Sequence, residues 1–200
     1  MIDLAIFAIV AKFKLFKTME VQTMENKIIN VQDGQTFEIA GIEFIKFPAI
    51  AEGVPVVAKD LQRDMRFGDN NDLRSSDVLA WLQKNFLPKI VAAIGEDNLV
   101  SFQTDLTTLD GLKNYGHMES KVSLPTLDFY RGNAEIFRNH PVEDWWWLAT
   151  PESDKPNSNP YWTLCVSPAG SIIYDYDCSI SGGVRPFCIF KSSIFESLEI

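Results

Sequence analysis

The chain predicts an α+β domain in which an antiparallel sheet carries two flanking helices and long loops. Three features of the sequence lead there. Between residues 27 and 58, β-branched and aromatic runs are separated by turn residues. Between Val78 and Ile94, apolar residues recur at three- and four-residue spacing. From Trp145 to Phe190, apolar runs return, broken by stretches rich in Pro, Gly and Asn. Strands, then helices, then strands again describe helices segregated from a sheet, not a parallel βαβ array.

Lys27–Val31, Thr36–Ile39 and Ile42–Phe47 read as strands, with Asp33-Gly34 and Ala40-Gly41 supplying turns. Val54–Ala58 is a further strand, and Pro55 places it at an edge or at a strand start, because proline cannot donate to a ladder. Phe67–Asp72 (FGDNND) is a polar turn whose Asx side chains can bond their own backbone. Ser75 or Ser76 then caps a helix, with Asp77 at the positive end of its dipole. Val78, Leu79, Leu82 and Phe86 share its inward face. Pro88 ends that helix and begins a second, with Ile90, Val91 and Ile94 inward and Gly95 closing it. Leu99–Phe102 is a short strand, and Leu109–Tyr115 holds an Asp-Gly turn. Pro125–Phe137 is a helix with Leu127, Tyr130 and Ala134 inward. Tyr161–Ser167, Ser171–Tyr174 and Val184–Phe190 are the last strands, separated by Pro168-Ala169-Gly170 and Ser181-Gly182-Gly183 turns.

Two hundred residues suit one domain. A hydrophobic fraction of 46%, with fourteen Phe, five Trp and five Tyr, supplies a core. Lys and Arg number 18 against 27 Asp and Glu, a net charge of −9, which argues against phosphate-neutralising nucleic-acid binding and against an anionic membrane surface. The apolar run Met1–Val10 is about half the roughly 20 residues of a membrane span. Its lysines follow the apolar stretch, the reverse of a secretory signal. Met24 opens a natural domain beginning, so residues 1–23 read as an appendage and 24–200 as the domain.

Candidate chemistry is sparse. Asp69 and Asp72 could ligate calcium, but the EF-hand spacing is absent, and a solvated turn is the plainer reading. Asp175 and Asp177 alternate with Tyr174 and Tyr176, so on a strand both Asp would share one face and both Tyr the other. That arrangement suits a polar contact surface better than acid–base catalysis. Gly182-Gly183 is no phosphate loop, and no nucleotide fingerprint occurs. Cys165, Cys178 and Cys188 form no CxxC pair, and His117 and His140 are the only histidines, so neither a metal centre, a triad nor a cofactor is expected. Trp145-Trp146-Trp147 is the most informative local feature. Consecutive strand side chains point to opposite faces, so one of the three lies at a surface or beneath the loop Glu152–Pro160.

WWWLATPES at Trp145–Ser153, SPAGSI at Ser167–Ile172 and SGGVRPFCIFKSSIF at Ser181–Phe195 together resemble an uncharacterised domain family of prophages and Gram-positive gut bacteria. Phe67–Phe86 and Leu106–Arg131 look like that family's first helix and its central turn with second helix. The family is in turn similar to C-type-lectin-like domains of the formylglycine-generating-enzyme type, with Gly183, Val184 and Arg185 at the Gly-Phe-Arg position. The resemblance implies a C-type-lectin-like fold whose long loops carry variable contacts, in a phage-encoded protein of the bacterial cytoplasm or in the virion. The sugar-binding Glu-Pro-Asn and Trp-Asn-Asp motifs are absent, so lectin activity is not implied.

The expected function is therefore non-enzymatic binding of a protein or cell-surface ligand. Trp145, Trp147, Asn157, Asn159, Tyr161, Tyr174, Asp175, Tyr176 and Asp177 are the expected contacts, and Trp146, Gly183 and Arg185 the structural supports. A guanidinium at 185 would tie strand ends through carbonyls or a carboxylate. The alternative is an intracellular inhibitor of a host defence system, anti-CRISPR-like, acting through an acidic surface.

Overall fold

The computed structural model describes residues 31–154 and 160–196. The expected appendage and most of the strand Lys27–Val31 lie outside them, as do Asn157 and Asn159. The strands in chain order are β1 (Thr36–Ile39), β2 (Ile42–Lys46), β3 (Val54–Ala58), β4 (Arg63–Arg66), β5 (Phe102–Asp105), β6 (His117–Ser120), β7 (Trp146–Pro151), β8 (Trp162–Val166), β9 (Ile172–Asp177), β10 (Ser181–Val184) and β11 (Phe187–Phe190). The helices are α1 (Asp77–Trp81), α2 (Leu87–Ile94), α3 (Leu127–Gly132) and α4 (Ala134–Arg138).

The architecture is α+β, but the strands make three sheets instead of one. An antiparallel sheet runs β1-β2-β3-β11, a mixed sheet runs β4-β10-β7-β8-β9, and β5-β6 form a separate hairpin. The single parallel pair among them is β10 with β7, joined at Gly183 and Trp146. The expected last strand Val184–Phe190 divides at Arg185-Pro186, where the chain leaves one sheet and enters the other.

Period-two alternation sorts the apolar side chains onto two faces, and both faces are covered. Phe44, Val56, Trp147, Cys165, Cys188 and Phe190 pack with Val78, Leu82, Phe86 and Ile90 of the α1–α2 segment. Ile45, Val57, Trp146, Leu148, Leu164 and Ile189 pack with Leu127, Tyr130 and Phe137 of α3 and α4. The helices thus flank the strands on opposite sides. This explains why the strands read as near-continuous apolar runs: β3, β7 and β11 are buried along their whole length.

Ala40 and Gly41 both have positive φ, 54° and 73°, which gives the β1–β2 turn the twist a two-residue hairpin needs. Pro55 is the second residue of β3, a strand start, but β3 lies inside its sheet between β2 and β11 and is not an edge. Ser76 caps α1 by accepting from the Leu79 N–H at 3.0 Å. Pro88 does not end this helix. A π turn over Leu82–Phe86 passes the Leu87 N–H to the Leu82 carbonyl, and the chain continues into α2 with Pro88 in its first turn. Gly95, at φ 82°, closes α2 by donating to the Val91 carbonyl. The helix expected over Pro125–Phe137 breaks at Asn133 into α3 and α4, and Ala134 is only half-buried. β4 and β6 were not expected: RDMR and HMES are too polar to read as strands.

Candidate functional site

The tryptophan triple sits where the two faces meet. Trp146 and Trp147 are both fully buried, on opposite faces. Trp146 stacks on Phe137 at 5.6 Å and meets Tyr130 edge-on at 5.8 Å. Trp147 meets Phe67 edge-on at 5.7 Å and donates its Nε1–H to the Met65 carbonyl at 2.9 Å. Trp147 is therefore core and not a ligand contact, because helical layers cover both sides of β7 and leave two consecutive tryptophans an interior to enter. Trp145 is half-buried and stacks on Tyr176, with ring centroids 5.9 Å apart and planes 15° from parallel.

Gly182 and Gly183 are strand residues in β10, not a turn. A Cβ at 182 would lie 2.7 Å from the Trp147 ring, and one at 183 would lie 2.6 Å from the Leu61 side chain and 2.8 Å from the Trp145 carbonyl oxygen. The glycines let β10 slide against the tryptophans, which is a packing requirement and not a turn signal.

β9 is one edge of the five-stranded sheet, with β4 at the other. A register shift between Thr163 and Cys165 of β8 breaks the expected alternation on β9: Thr163 faces Tyr176 while Cys165 faces Ile173. Tyr174 and Tyr176 consequently part company. Tyr176 packs against Trp145 and Trp147, and Tyr174 is 57% exposed. Tyr161, just before β8, and Ile180, in the turn after β9, are each 51% exposed. These three are the large apolar side chains this end of the sheet offers to solvent. Asp175 is exposed, whereas Asp177 accepts from the Ser179 N–H at 2.8 Å and shapes the turn to β10.

The supports of this ridge are well bonded. The Cys178 N–H donates to the Tyr161 carbonyl at 2.7 Å, and the Cys178 carbonyl accepts from Phe67 and Gly68. Asn71, fully buried, is the hub that sequence reasoning missed. Its Nδ2 donates to the Ser153 and Trp162 carbonyls, both at 2.7 Å, and its Oδ1 accepts from the Tyr115 hydroxyl at 2.8 Å. Its backbone N–H donates to the Pro160 carbonyl at 2.7 Å. One side chain thus grips the chain on both sides of residues 155–159. The Ser153 hydroxyl adds a bond to Asp110 at 2.8 Å. The expected self-bonding in this segment belongs to Asn70, which accepts from the Asp72 N–H, and to Asp72, which accepts from the Arg74 N–H. Asp69 and Asp72 answer Arg66 and Arg74 at 2.8 and 2.6 Å, and among the described residues no group of three carboxylate, His or Cys side chains converges as a cation would require.

Arg185 is 1% exposed. Its Nε and one terminal nitrogen donate to the carbonyls of Ala58 and Lys59 at 3.1 and 2.8 Å, tying β3 to the point where the chain changes sheet. Its guanidinium carbon lies 5.0 Å from the Trp146 ring centre and 5.4 Å from that of Phe137. Burial pulls its pKa down to about 10, with Asp60 and Tyr130 opposing the shift. His140, on the rim of the adjoining pocket of about 150 Å³, bonds the Gly34 carbonyl through Nε2 at 2.7 Å.

The thiols are all buried. Burial pushes Cys165 up to about 12, with Asp175 adding to the shift, and Cys178 up to about 11, with Asp177 adding to it. Cys188 is raised by burial alone. A raised thiol pKa means less thiolate at any working pH, hence a poor nucleophile. At pH 8 a thiol–disulfide reagent is expected to leave all three unmodified in the folded protein and to modify all three in denaturant. Rapid reaction of one thiol in the folded state would contradict this burial.

No family model matches the chain, and neither a curated protein nor a solved structure does.

Proposed function

We propose that this protein is a non-enzymatic binding protein of the kind phages and prophages display, built on a C-type-lectin-like scaffold and recognising a protein or cell-surface ligand. The observation that carries the reading is the exposure of Tyr161, Tyr174 and Ile180 on and beside β8 and β9, at one edge of the five-stranded sheet. Tyrosine brings a large amphipathic surface with few rotatable bonds, so a tyrosine held on a stiff support loses little entropy when it binds. Asp175 beside it supplies a charge that can select a partner. Asn157 and Asn159 lie outside the described residues and enter this proposal from the sequence alone. Two α-helical layers on opposite sides of the strands, with a terminal Gly-Val-Arg passage between sheets, support the scaffold assignment.

The test is the double substitution Tyr161→Ala with Tyr174→Ala. Truncating exposed hot-spot aromatics costs about 2 kcal/mol or more, roughly thirtyfold in affinity. Capture of the virion or cellular ligand should fall by that factor while the unfolding free energy stays within about 0.5 kcal/mol, as for surface changes generally. Undiminished capture by the folded double variant would end the proposal.

A further inference from the structure

A second concavity shares no residue with the tyrosine ridge. It is a groove of about 420 Å³ between the β5–β6 hairpin, the start of α3, the β2–β3 connection and β11. Phe102, Phe129 and Phe187 line it together with Ile189 and Leu124. Phe187 meets Phe102 and Phe129 nearly edge-on, at 5.1 and 4.9 Å, so the three rings brace one another. Four carboxylates, Glu52, Asp105, Glu119 and Asp128, lie around this aromatic lining, and no lysine or arginine joins them. Asp105 already accepts from the N–H and hydroxyl of Thr107 at 2.8 and 2.6 Å, and Glu119 from the Ser101 hydroxyl at 3.0 Å. None of the four makes an ion pair among the described residues. Thr104, also in the lining, is only 3% exposed, and its hydroxyl has no hydrogen-bond partner.

We propose that this groove receives one arginine side chain of a partner protein. Aromatic faces attract a cation through their quadrupole, and carboxylates at the rim accept from its N–H groups. A planar guanidinium satisfies both at once: it stacks on a ring while its fork of donors reaches carboxylates and a hydroxyl. A lysine ammonium is a more strongly hydrated point charge and loses more water on entering an aromatic slot. A buried hydroxyl without a partner leaves an acceptor for a donor that arrives with the ligand. The groove's uncompensated negative charge makes the arriving cation's binding sensitive to screening.

The probe is the capped tripeptide acetyl-Gly-Arg-Gly-amide, titrated into the full chain while backbone amide NMR shifts are followed. Saturable shifts at Gln103, Thr104, Glu119, Asp128 and Phe129 are expected, with affinity falling as salt rises from 50 to 500 mM, about the range over which the Debye length shrinks below 5 Å. The exposed pair Glu119→Gln with Asp128→Asn should weaken binding at least about tenfold, since both charge-assisted bonds to the guanidinium become neutral ones. Unchanged thermal unfolding of that variant would separate lost recognition from lost fold. A Gly-Gln-Gly peptide that shifts the same amides with equal affinity would overturn the proposal, as would absence of saturable shifts. Equal affinity for Gly-Lys-Gly would overturn the choice of arginine, and tighter binding of free agmatine than of the peptide would replace the protein partner by a small amine. Because none of these residues belongs to the tyrosine ridge, failure here leaves the proposed function standing, and the converse holds.

Discussion

Asn71→Ala is expected to destabilise the fold by about 3 kcal/mol or more. The Ser153 carbonyl loses its donor, the Trp162 carbonyl keeps only the longer bond from the Glu152 N–H at 3.2 Å, and the Tyr115 hydroxyl loses its bond to Asn71. Each unsatisfied buried group costs roughly 1–3 kcal/mol, and the three share one network, so the losses do not simply add. Asn71→Asp should be as damaging, because a carboxylate keeps the acceptor for Tyr115 but turns the two donated bonds into repulsion between oxygens. Urea unfolding reads both effects. A loss under about 1 kcal/mol for the alanine variant would mean that water replaces the side chain and that the clamp is not a clamp. If the proposed function holds, the same substitution should lower ligand capture even where the protein stays folded, since Asn71 bonds Pro160 and Trp162 on either side of Tyr161.

Arg185→Ala is the second large effect, a loss of about 3 kcal/mol. It strips the donors from the Ala58 and Lys59 carbonyls and leaves a void beside Trp146 and Phe137. Arg185→Met separates the contributions. Methionine fills much of the volume and removes the desolvation cost that depresses this guanidinium, so about half the loss should return. If the methionine variant is as unstable as the alanine variant, the carbonyl bonds dominate; if it matches the unaltered protein, the buried charge confers no net stability. Denaturant midpoints at constant slope distinguish these results.

Local rules governed what the sequence made legible. β1 and β3 have the bounds that β-branched runs and turn residues announce, and Ser76 caps its helix as a serine before an apolar stripe should. Legibility failed where tertiary packing overrode the local signal. Gly182 and Gly183 carry turn chemistry yet lie in β10, because two tryptophans and Leu61 leave no room for a Cβ. Pro88 carries a stop signal, yet a π turn over Leu82–Phe86 carries the chain on into α2, with Pro88 in its first turn. β4 has no apolar alternation and exists because β10 offers it a partner.

The proposed contact residues were legible only in part for the same reason. Tyr161 and Tyr174 stand exposed, and Trp145 and Tyr176 are half-buried and stacked on each other. Trp147 is lost to the interior: the near-continuous apolar run of β7 marks a strand covered on both faces, and the expectation of an outward tryptophan assumes one covered face. Asn71 was invisible as a hub because its partners lie 44 to 91 residues away.

Photocrosslinking from single positions in producing cells tests the display account most directly. A photoreactive side chain introduced at Tyr174 or at Ile180 should trap the same partner. The same group at Glu38 of β1 or at Lys89 of α2, both exposed and on other elements, should trap none. Crosslinks from Glu38 or Lys89 with none from 174 and 180 would place the contact surface elsewhere and contradict the account.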